Sequence, residues 1–145
     1  MTAIDLPRTA PQPDAAPRNT TQAILRGMRR RCPACGQGHL FRGYLTTVDH
    51  CAQCGEAIHH HRADDGPAYI TIMIIAHLFV PALMVVYLAW RPSPVAMAVW
   101  FCIAAAVATL ALLPVAKGGM VGLQWARRMH GFDETAPERH PEIEA

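Results

Sequence analysis

The chain has 145 residues and a formal net charge of +2, so its overall charge gives no reason to expect a nucleic-acid partner. The charges are placed unevenly: residues 67–116 contain a single charged side chain, Arg91, and every other charge lies outside that segment. A helix or strand at the surface of a soluble protein needs a polar face. The segment offers no such face, which excludes an ordinary soluble globule.

The N-terminal part of the chain predicts a tail followed by a helix. Residues 1–19 are rich in proline and lack an apolar core, so we expect a disordered tail and no secretory signal. Residues 20–31 predict a basic amphipathic helix, capped by Thr20 or Thr21, with its arginines at lipid headgroups. The apolar side chains expected to face lipid are Ile24, Leu25 and Met28.

Two cysteine pairs in residues 32–58 predict a metal site. Cys32 and Cys35 form one C-x2-C motif, Cys51 and Cys54 form another, and the spacing is typical of a structural zinc site with four thiolates. The glycine after each second cysteine permits a positive φ, which lets backbone N–H groups approach sulfur. The segment is too short to fold on an apolar core, so bound metal must stabilise it. We expect a zinc ribbon of short strands that contain Leu40, Phe41, Tyr44 and Leu45, with a turn at Arg42-Gly43.

The same cysteines are compatible with other chemistry. Iron can be held by four thiolates, two disulfides can form in an oxidising compartment, and a C-x2-C pair can be a redox motif. A closed site with four thiolates leaves no position for water or substrate, which favours a structural role over catalysis. With zinc the site would be negatively charged, and nearby arginines could offset this charge; they are Arg29, Arg30 and Arg31.

Residues 59–66 combine histidines and acidic side chains immediately before the apolar segment. The three consecutive histidines, His59, His60 and His61, are compatible with copper, zinc or haem-iron binding, and equally with a polar linker near lipid headgroups. Asp65 is placed to cap the following helix, where its carboxylate would accept hydrogen bonds from the first amides. The predicted membrane-interface motif consists of Asp64, Asp65, Gly66 and Pro67.

Residues 67–90 and 95–116 each predict a transmembrane helix, because about 20 apolar residues cross the hydrocarbon core of a bilayer. The connection Arg91-Pro92-Ser93-Pro94 is short and contains two prolines, so it predicts a tight hairpin with both chain ends on one side. The alternative, a soluble protein with two buried helices, would need a much larger protein around them. The residues expected as aromatic anchors at the two interfaces are Tyr69, Trp90 and Trp100.

Positive charge close to the spans predicts their orientation. The hairpin turn has only Arg91, whereas the side of the chain ends is basic, so the positive-inside rule places both termini in the cytoplasm. The predicted fold class is therefore a mainly α membrane protein: a transmembrane hairpin of two helices with an N-terminal cytoplasmic zinc ribbon of short β-strands. The basic residues next to the spans are Arg62, Lys117, Arg127 and Arg128.

His77 is the one histidine within the predicted spans, and it lies near the bilayer midplane. Ionisable residues at this depth are costly and point to a function or a partner contact. We expect a hydrogen bond to Thr109 or to a partner subunit; a copper(I) site and a haem ligand are the alternatives. The soft side chains for copper would be Met73, Met84 and Cys102.

Beyond the second span, residues 117–131 predict an interfacial helix, with a simple extension of the span as the alternative. Residues 132–145 predict a mobile acidic tail.

Four sequence motifs in residues 24–130 resemble those of a bacterial family called domain of unknown function 983. They are CPACGQGHLFRGYL, CAQCG, DDGPAY before a span that contains a histidine, and KGGMVGLQWARR after the second span. The resemblance implies a small inner-membrane protein with a cytoplasmic zinc ribbon, and no activity is established for the family. It also implies a link to respiration, because family members are often encoded beside genes for cytochrome c oxidase and its assembly factors.

The sequence therefore predicts a non-catalytic accessory or assembly factor in the inner membrane. It would act through contacts with the lipid bilayer and a membrane protein complex. The resemblance implies the haem-copper oxidase as the client. The alternative is a copper or haem handling protein that uses His77 and the nearby soft side chains. We expect no enzyme activity, because no nucleophile–base pair, phosphate loop or open metal site is visible.

Overall fold

The computed structural model describes residues 17–62 and 65–132. Within them lie three helices: α1 (Thr20–Met28), α2 (Gly66–Trp90) and α3 (Pro94–Ala126). The predictions made for residues 1–16, for Asp64 and for the acidic tail from residue 133 lie outside the described residues. The fold class is confirmed in its main features: the chain is mainly helical, with two helices of membrane-spanning length and a cysteine site before them.

Helices α2 and α3 form the hairpin that the sequence predicts. Both are long and apolar enough to cross a membrane. Arg91 ends α2 in the left-handed conformation, with φ of 44°, and the Ser93 side chain caps α3 by accepting a hydrogen bond from the Ala96 amide at 3.4 Å. Inside the hairpin the rings of Phe79 and Phe101 pack edge to face, with centroids 6.0 Å apart.

The separate interfacial helix predicted for residues 117–131 is wrong. α3 continues without a break to Ala126 and has 33 residues, so it is about 50 Å long against a hydrocarbon core of about 30 Å. Its last turns, residues 117–126, are called the α3 extension below. The extension stays helical despite three glycines because α1 packs against it, which offsets the low helix propensity of glycine.

α1 is shorter than predicted and uses a different cap. Asn19 caps it by accepting a hydrogen bond from the Gln22 amide, so neither Thr20 nor Thr21 is the cap. The helix buries Ala23 and Gly27 against α3. The most buried face of α1 therefore packs on protein, whereas Leu25 and Met28 are exposed as expected and Ile24 is half-buried.

Glycines allow α1 and the α3 extension to touch backbone to backbone. A Cβ at Gly27 or at Gly118 would collide with a carbonyl oxygen of the other helix, and a Cβ at Gly122 would collide with the Ala23 carbonyl. Small residues four apart on both helices provide this close approach, as in transmembrane helix pairs.

The segment of residues 32–58, called the ribbon below, contains isolated bridges and no longer strands within the described residues. Three antiparallel bridges join Arg31 to His39, Phe41 to Thr47, and His50 to Ala57. The turn lies across residues 42–46, where the Arg42 amide donates to the Thr46 carbonyl, so Tyr44 and Leu45 belong to the turn rather than to strands. In so short a segment, the described residues contain no neighbouring strand that would extend a bridge into a longer ladder.

The ribbon packs against the α3 extension and shares a core with it. Leu40 and Ile58 from the ribbon and Val121 from α3 are fully buried together with Cys32 and Cys51. The ribbon, α1 and the α3 extension therefore form one packed body, called the docked unit below.

Candidate metal centre and its attachment to the membrane hairpin

The four predicted cysteine ligands meet at one point. Their sulfur atoms all lie within 4.8 Å of one another, and the Cys32–Cys54 and Cys35–Cys51 sulfur pairs are each 3.8 Å apart. A tetrahedron of thiolates around zinc, with Zn–S bonds of about 2.3 Å, has sulfur–sulfur edges of about 3.8 Å. The four cysteines are free of disulfides. The arrangement therefore fits one metal ion and does not support the disulfide alternative.

Each C-x2-C motif forms a tight turn of the same kind, and the two turns orient the four sulfur atoms. The Gly36 amide donates to the Cys32 carbonyl and the Gly55 amide to the Cys51 carbonyl, both at 2.9 Å. The two glycines have φ of 74° and 75°, in the left-handed region predicted for them. The Gln37 amide then reaches the Cys35 sulfur at 3.4 Å. Such N–H···S contacts orient a thiolate ligand and stabilise its charge.

The surroundings of the thiols shift their pKa values in opposite directions. Backbone N–H groups of Gly38 and Gln37 lower the pKa of the Cys35 thiol to about 6. Burial raises the pKa of the Cys32 thiol well above its usual range, and burial also raises that of Cys54. A cation is the natural partner for the buried thiolates, because without it their charge would be poorly solvated.

Arg26 links α1 to the first of these turns. Its guanidinium donates to the carbonyl oxygens of Ala34 at 2.7 Å and Pro33 at 3.2 Å. The side chain also crosses Gly36, where a Cβ would approach Arg26 Nε to 2.9 Å. The sequence predicted that Arg29, Arg30 and Arg31 offset the charge of the site; these three side chains are exposed, and their effect on the site stays a prediction. Arg26 was missed because its contact depends on how α1 packs.

Two further contacts join the ribbon, and the linker that follows it, to the α3 extension. The Trp125 indole N–H donates to a carboxylate oxygen of Glu56 at 2.7 Å. The Gln124 side chain makes two bonds with one linker residue: it accepts from the Arg62 amide at 3.0 Å and donates to the Arg62 carbonyl at 2.9 Å. Nothing in the local sequence pattern indicated either contact, because the partners are more than sixty residues apart.

The two ends of the described chain are also tied to this region. Arg18 donates to the carbonyl oxygens of Trp125 and Phe132, at 2.7 and 3.2 Å, and stacks on the Trp125 ring. Phe132 is 4% exposed. Arg18 and Phe132, which the sequence assigned to the two tails, therefore pack against the docked unit at the same end of the hairpin.

The three consecutive histidines do not act as one group. The His61 ring bonds to the Ile58 carbonyl through Nδ1 and to the Thr47 hydroxyl through Nε2, so both of its nitrogens hold the ribbon together. His59 instead stacks between the rings of His50 and His60. This division gives no support to a metal site formed by His59, His60 and His61.

The predicted membrane-interface motif has a packing role. Asp65 occupies the position before α2, but its side chain makes no capping hydrogen bond, because its backbone is helical rather than extended. Gly66 lies against the Met120 side chain, and Pro67 is buried. The Thr71 hydroxyl donates to the Pro67 carbonyl at 2.8 Å. The start of α2 is therefore held by close packing against the α3 extension.

His77 does not bond to Thr109. Its Nδ1 lies 2.8 Å from the Met73 carbonyl oxygen on the same helix, and its side chain is exposed. Met73 and Met84 are also exposed and lie about 16 Å apart along α2, too far to share one ion. A single copper site that contains Met73, His77, Met84 and Cys102 is therefore not supported.

Tyr44, at the tip of the ribbon turn, contacts the second span. Its hydroxyl donates a hydrogen bond to the Leu110 carbonyl oxygen. Pro114 follows four residues later and has no N–H, so this carbonyl lacks its normal partner within α3. The ribbon thus supplies the hydrogen bond that proline removes from the helix.

The fold and the site together define a hairpin of two helices of membrane-spanning length with a four-cysteine metal site docked at one end. The chain belongs to the family described as protein of unknown function (DUF983), whose model matches residues 41–125. The matched segment is shorter than the resemblance from the motifs, and it starts after Cys32 and Cys35. No curated protein and no solved structure matches the chain.

Proposed function

We propose that this protein is a non-catalytic accessory or assembly factor that presents a zinc-stabilised docking surface beside a membrane protein complex. The observation that carries the proposal is the attachment of the ribbon to the α3 extension through a shared core and side-chain hydrogen bonds. A ribbon held in this way lies at a constant height and orientation relative to the spans. That geometry suits protein recognition at the membrane surface.

The chemistry of the cysteine site supports a structural role for the metal. Four thiolates complete the coordination of zinc and leave no position for substrate. Four-thiolate sites also accept iron, so metal analysis of the purified protein distinguishes the two ions. In this proposal zinc stabilises the ribbon, and the ribbon makes the contact.

The proposed client is a haem-copper cytochrome c oxidase in a bacterial inner membrane, with both termini of this protein in the cytoplasm. The client rests on the family resemblance alone, and the orientation rests on the positive charge beside the spans. Protease or thiol-reagent access to the ribbon in sealed inverted vesicles, but not in intact cells, is the expected result for this orientation.

The test is purification in mild detergent from cells that express the wild-type chain or a cysteine variant. Cys51→Ser removes a buried ligand, whereas Cys102→Ser changes an exposed cysteine outside the site and is the matched control. Wild type and the control should carry one zinc per chain, co-purify with oxidase subunits and support normal levels of assembled oxidase. Cys51→Ser should lose zinc, the subunits and part of the oxidase. Normal oxidase in cells that lack the protein altogether would contradict the proposed client.

A further inference from the structure

Both helices of the hairpin contain a proline within the membrane-spanning region, and each proline leaves a carbonyl oxygen without its helical partner. Pro114 leaves the Leu110 carbonyl, and Pro81 leaves the His77 carbonyl. A backbone group without a hydrogen bond is costly in the hydrocarbon core, where water cannot replace the partner. The chain fills the first gap with the Tyr44 hydroxyl. In the part of the chain that the structure describes, no side chain donates to the second.

The His77 side chain adds a second acceptor at the same place. Its Nδ1 lies 2.8 Å from the Met73 carbonyl oxygen, and a carbonyl can only accept, so Nδ1 must carry the proton. In a neutral imidazole the other nitrogen, Nε2, then has a lone pair and no proton. No described side chain donates to Nε2. One turn of α2 therefore presents two hydrogen-bond acceptors, His77 Nε2 and the His77 carbonyl oxygen.

These acceptors lie on a face of α2 that is open within the chain. His77 and Pro81 are both exposed, and Met84, on the same side of the helix, is 56% exposed. His77 is near the middle of α2, so this face lies at the depth where lipid offers only hydrocarbon. Acyl chains have no N–H or O–H groups and cannot satisfy either acceptor.

We propose that the His77–Pro81 face of α2 docks against a transmembrane helix of another protein, and that this helix supplies N–H or O–H side-chain donors to the two acceptors. The inference deepens the proposed function, since it names the chemistry that a client must offer within the bilayer. A second copy of this chain bound symmetrically through the same point would bring acceptor against acceptor. A metal on Nε2 would leave the carbonyl unsatisfied. A donor-bearing helix satisfies both groups.

The first experiment measures the tautomer of His77 in the full-length protein. The chain is labelled with ¹⁵N-histidine, purified in detergent micelles, and the His77 signals are assigned by their loss in His77→Gln. The expected spectrum has a protonated Nδ1 and an unprotonated Nε2. A protonated Nε2 in the neutral ring would overturn the proposal, because that ring would present a donor.

The second experiment measures the contact in native membranes by photo-cross-linking from position 84. His77→Leu removes the side-chain acceptor, and Pro81→Ala restores the N–H that pairs with the His77 carbonyl. Each should lower the yield of the cross-linked product about three- to tenfold, as expected for one interhelical hydrogen bond. Ile72→Ala is the control, because Ile72 is also exposed on α2 but lies about 140° around the helix from His77.

The partner segment should carry a donor side chain opposite His77, and replacing that donor by an apolar residue should cause no further loss in the His77→Leu background. Cross-links to lipid only, to a second copy of this chain, or to a segment without donors would overturn the proposal. So would unchanged yields in both His77→Leu and Pro81→Ala. Zinc content, measured in every variant, shows that the docked unit is still folded.

The two proposals can fail separately. Loss of oxidase on deletion of the gene, together with normal behaviour of both α2 variants, would support the assembly role and overturn the docking face. A cross-linked helix with the expected donor, in a complex other than the oxidase, would do the reverse.

Discussion

The hydrogen bond between the ribbon turn and the second span makes a quantitative prediction for Tyr44→Phe. The substitution keeps the ring and removes the hydroxyl that donates to the Leu110 carbonyl. Leu110 lies about 24 Å along α3 from Pro94. With a hydrocarbon core about 30 Å thick that begins at Pro94, the Leu110 carbonyl lies about 6 Å inside the boundary on the ribbon side. A hydrogen bond contributes about 0.5–1.5 kcal/mol, and the carbonyl left unpaired at this depth adds to the loss. We expect a total cost of about 1–2 kcal/mol.

The same substitution should have little effect once proline 114 is replaced. Pro114→Ala supplies an N–H to the Leu110 carbonyl from within α3, so the Tyr44 hydroxyl is no longer needed there. Tyr44→Phe in this background should cost less than about 0.5 kcal/mol, which leaves a coupling energy of about 1 kcal/mol between the two sites.

The assay is reversible unfolding of the zinc-loaded protein in mixed micelles, with increasing dodecyl sulfate and tryptophan fluorescence as the signal. Trp125 lies in the docked unit and contacts Glu56, so its emission reports detachment of the ribbon in a chain that carries Trp90→Phe and Trp100→Phe. Equal costs of Tyr44→Phe with proline and with alanine at position 114 would refute the reasoning. A Tyr44→Phe protein with the same free energy of unfolding as the wild type would refute it as well.

Two other predictions concern helix packing and metal binding. Gly118→Ala should destabilise the docked unit by about 1–3 kcal/mol, because its Cβ meets the Gly27 backbone of α1. The matched variant Gly119→Ala should be neutral or stabilising in the same unfolding assay, because its Cβ meets side chains only, Met28 at 3.1 Å and Ile24 at 3.8 Å. Equal destabilisation by both substitutions would contradict the close approach of the helix backbones. Zinc binding at pH 7 should release protons from Cys32 and Cys54, because burial raises the pKa values of both thiols. The affinity for zinc should therefore rise with pH, and it should fall steeply below the Cys35 pKa of about 6. Calorimetry in buffers of different ionisation enthalpy measures the protons released, and zinc uptake independent of pH would contradict the assignment.

The attachment of the ribbon to α3 has a consequence for the whole molecule. The metal site shares one core with the α3 extension, so loss of the metal removes support from Tyr44 at the second span as well as from the ribbon surface. The four-cysteine site is therefore coupled to the hairpin through packed side chains as well as through the linker.

The sequence by itself determined the parts that depend on local pattern. Runs of apolar residues separated by Arg91 and two prolines were enough to predict the hairpin, since a helix of that composition needs lipid around it. Two C-x2-C motifs with following glycines were enough to predict four convergent thiolates, since the spacing makes each tight turn. The motifs also indicated the family, which the family match confirms.

The tertiary structure alone decided how these parts are joined. Continuation of α3 past the predicted span, burial of Phe132 and the contacts of Tyr44 and Gln124 all depend on residues far apart in the chain. No local period encodes such pairs, because each depends on α1, the ribbon and the α3 extension meeting in three dimensions. His77 shows the same division. The sequence predicted its place near the middle of a span. The contact between Nδ1 and the Met73 carbonyl in the folded helix decided that Nε2 is the nitrogen left to accept a hydrogen bond.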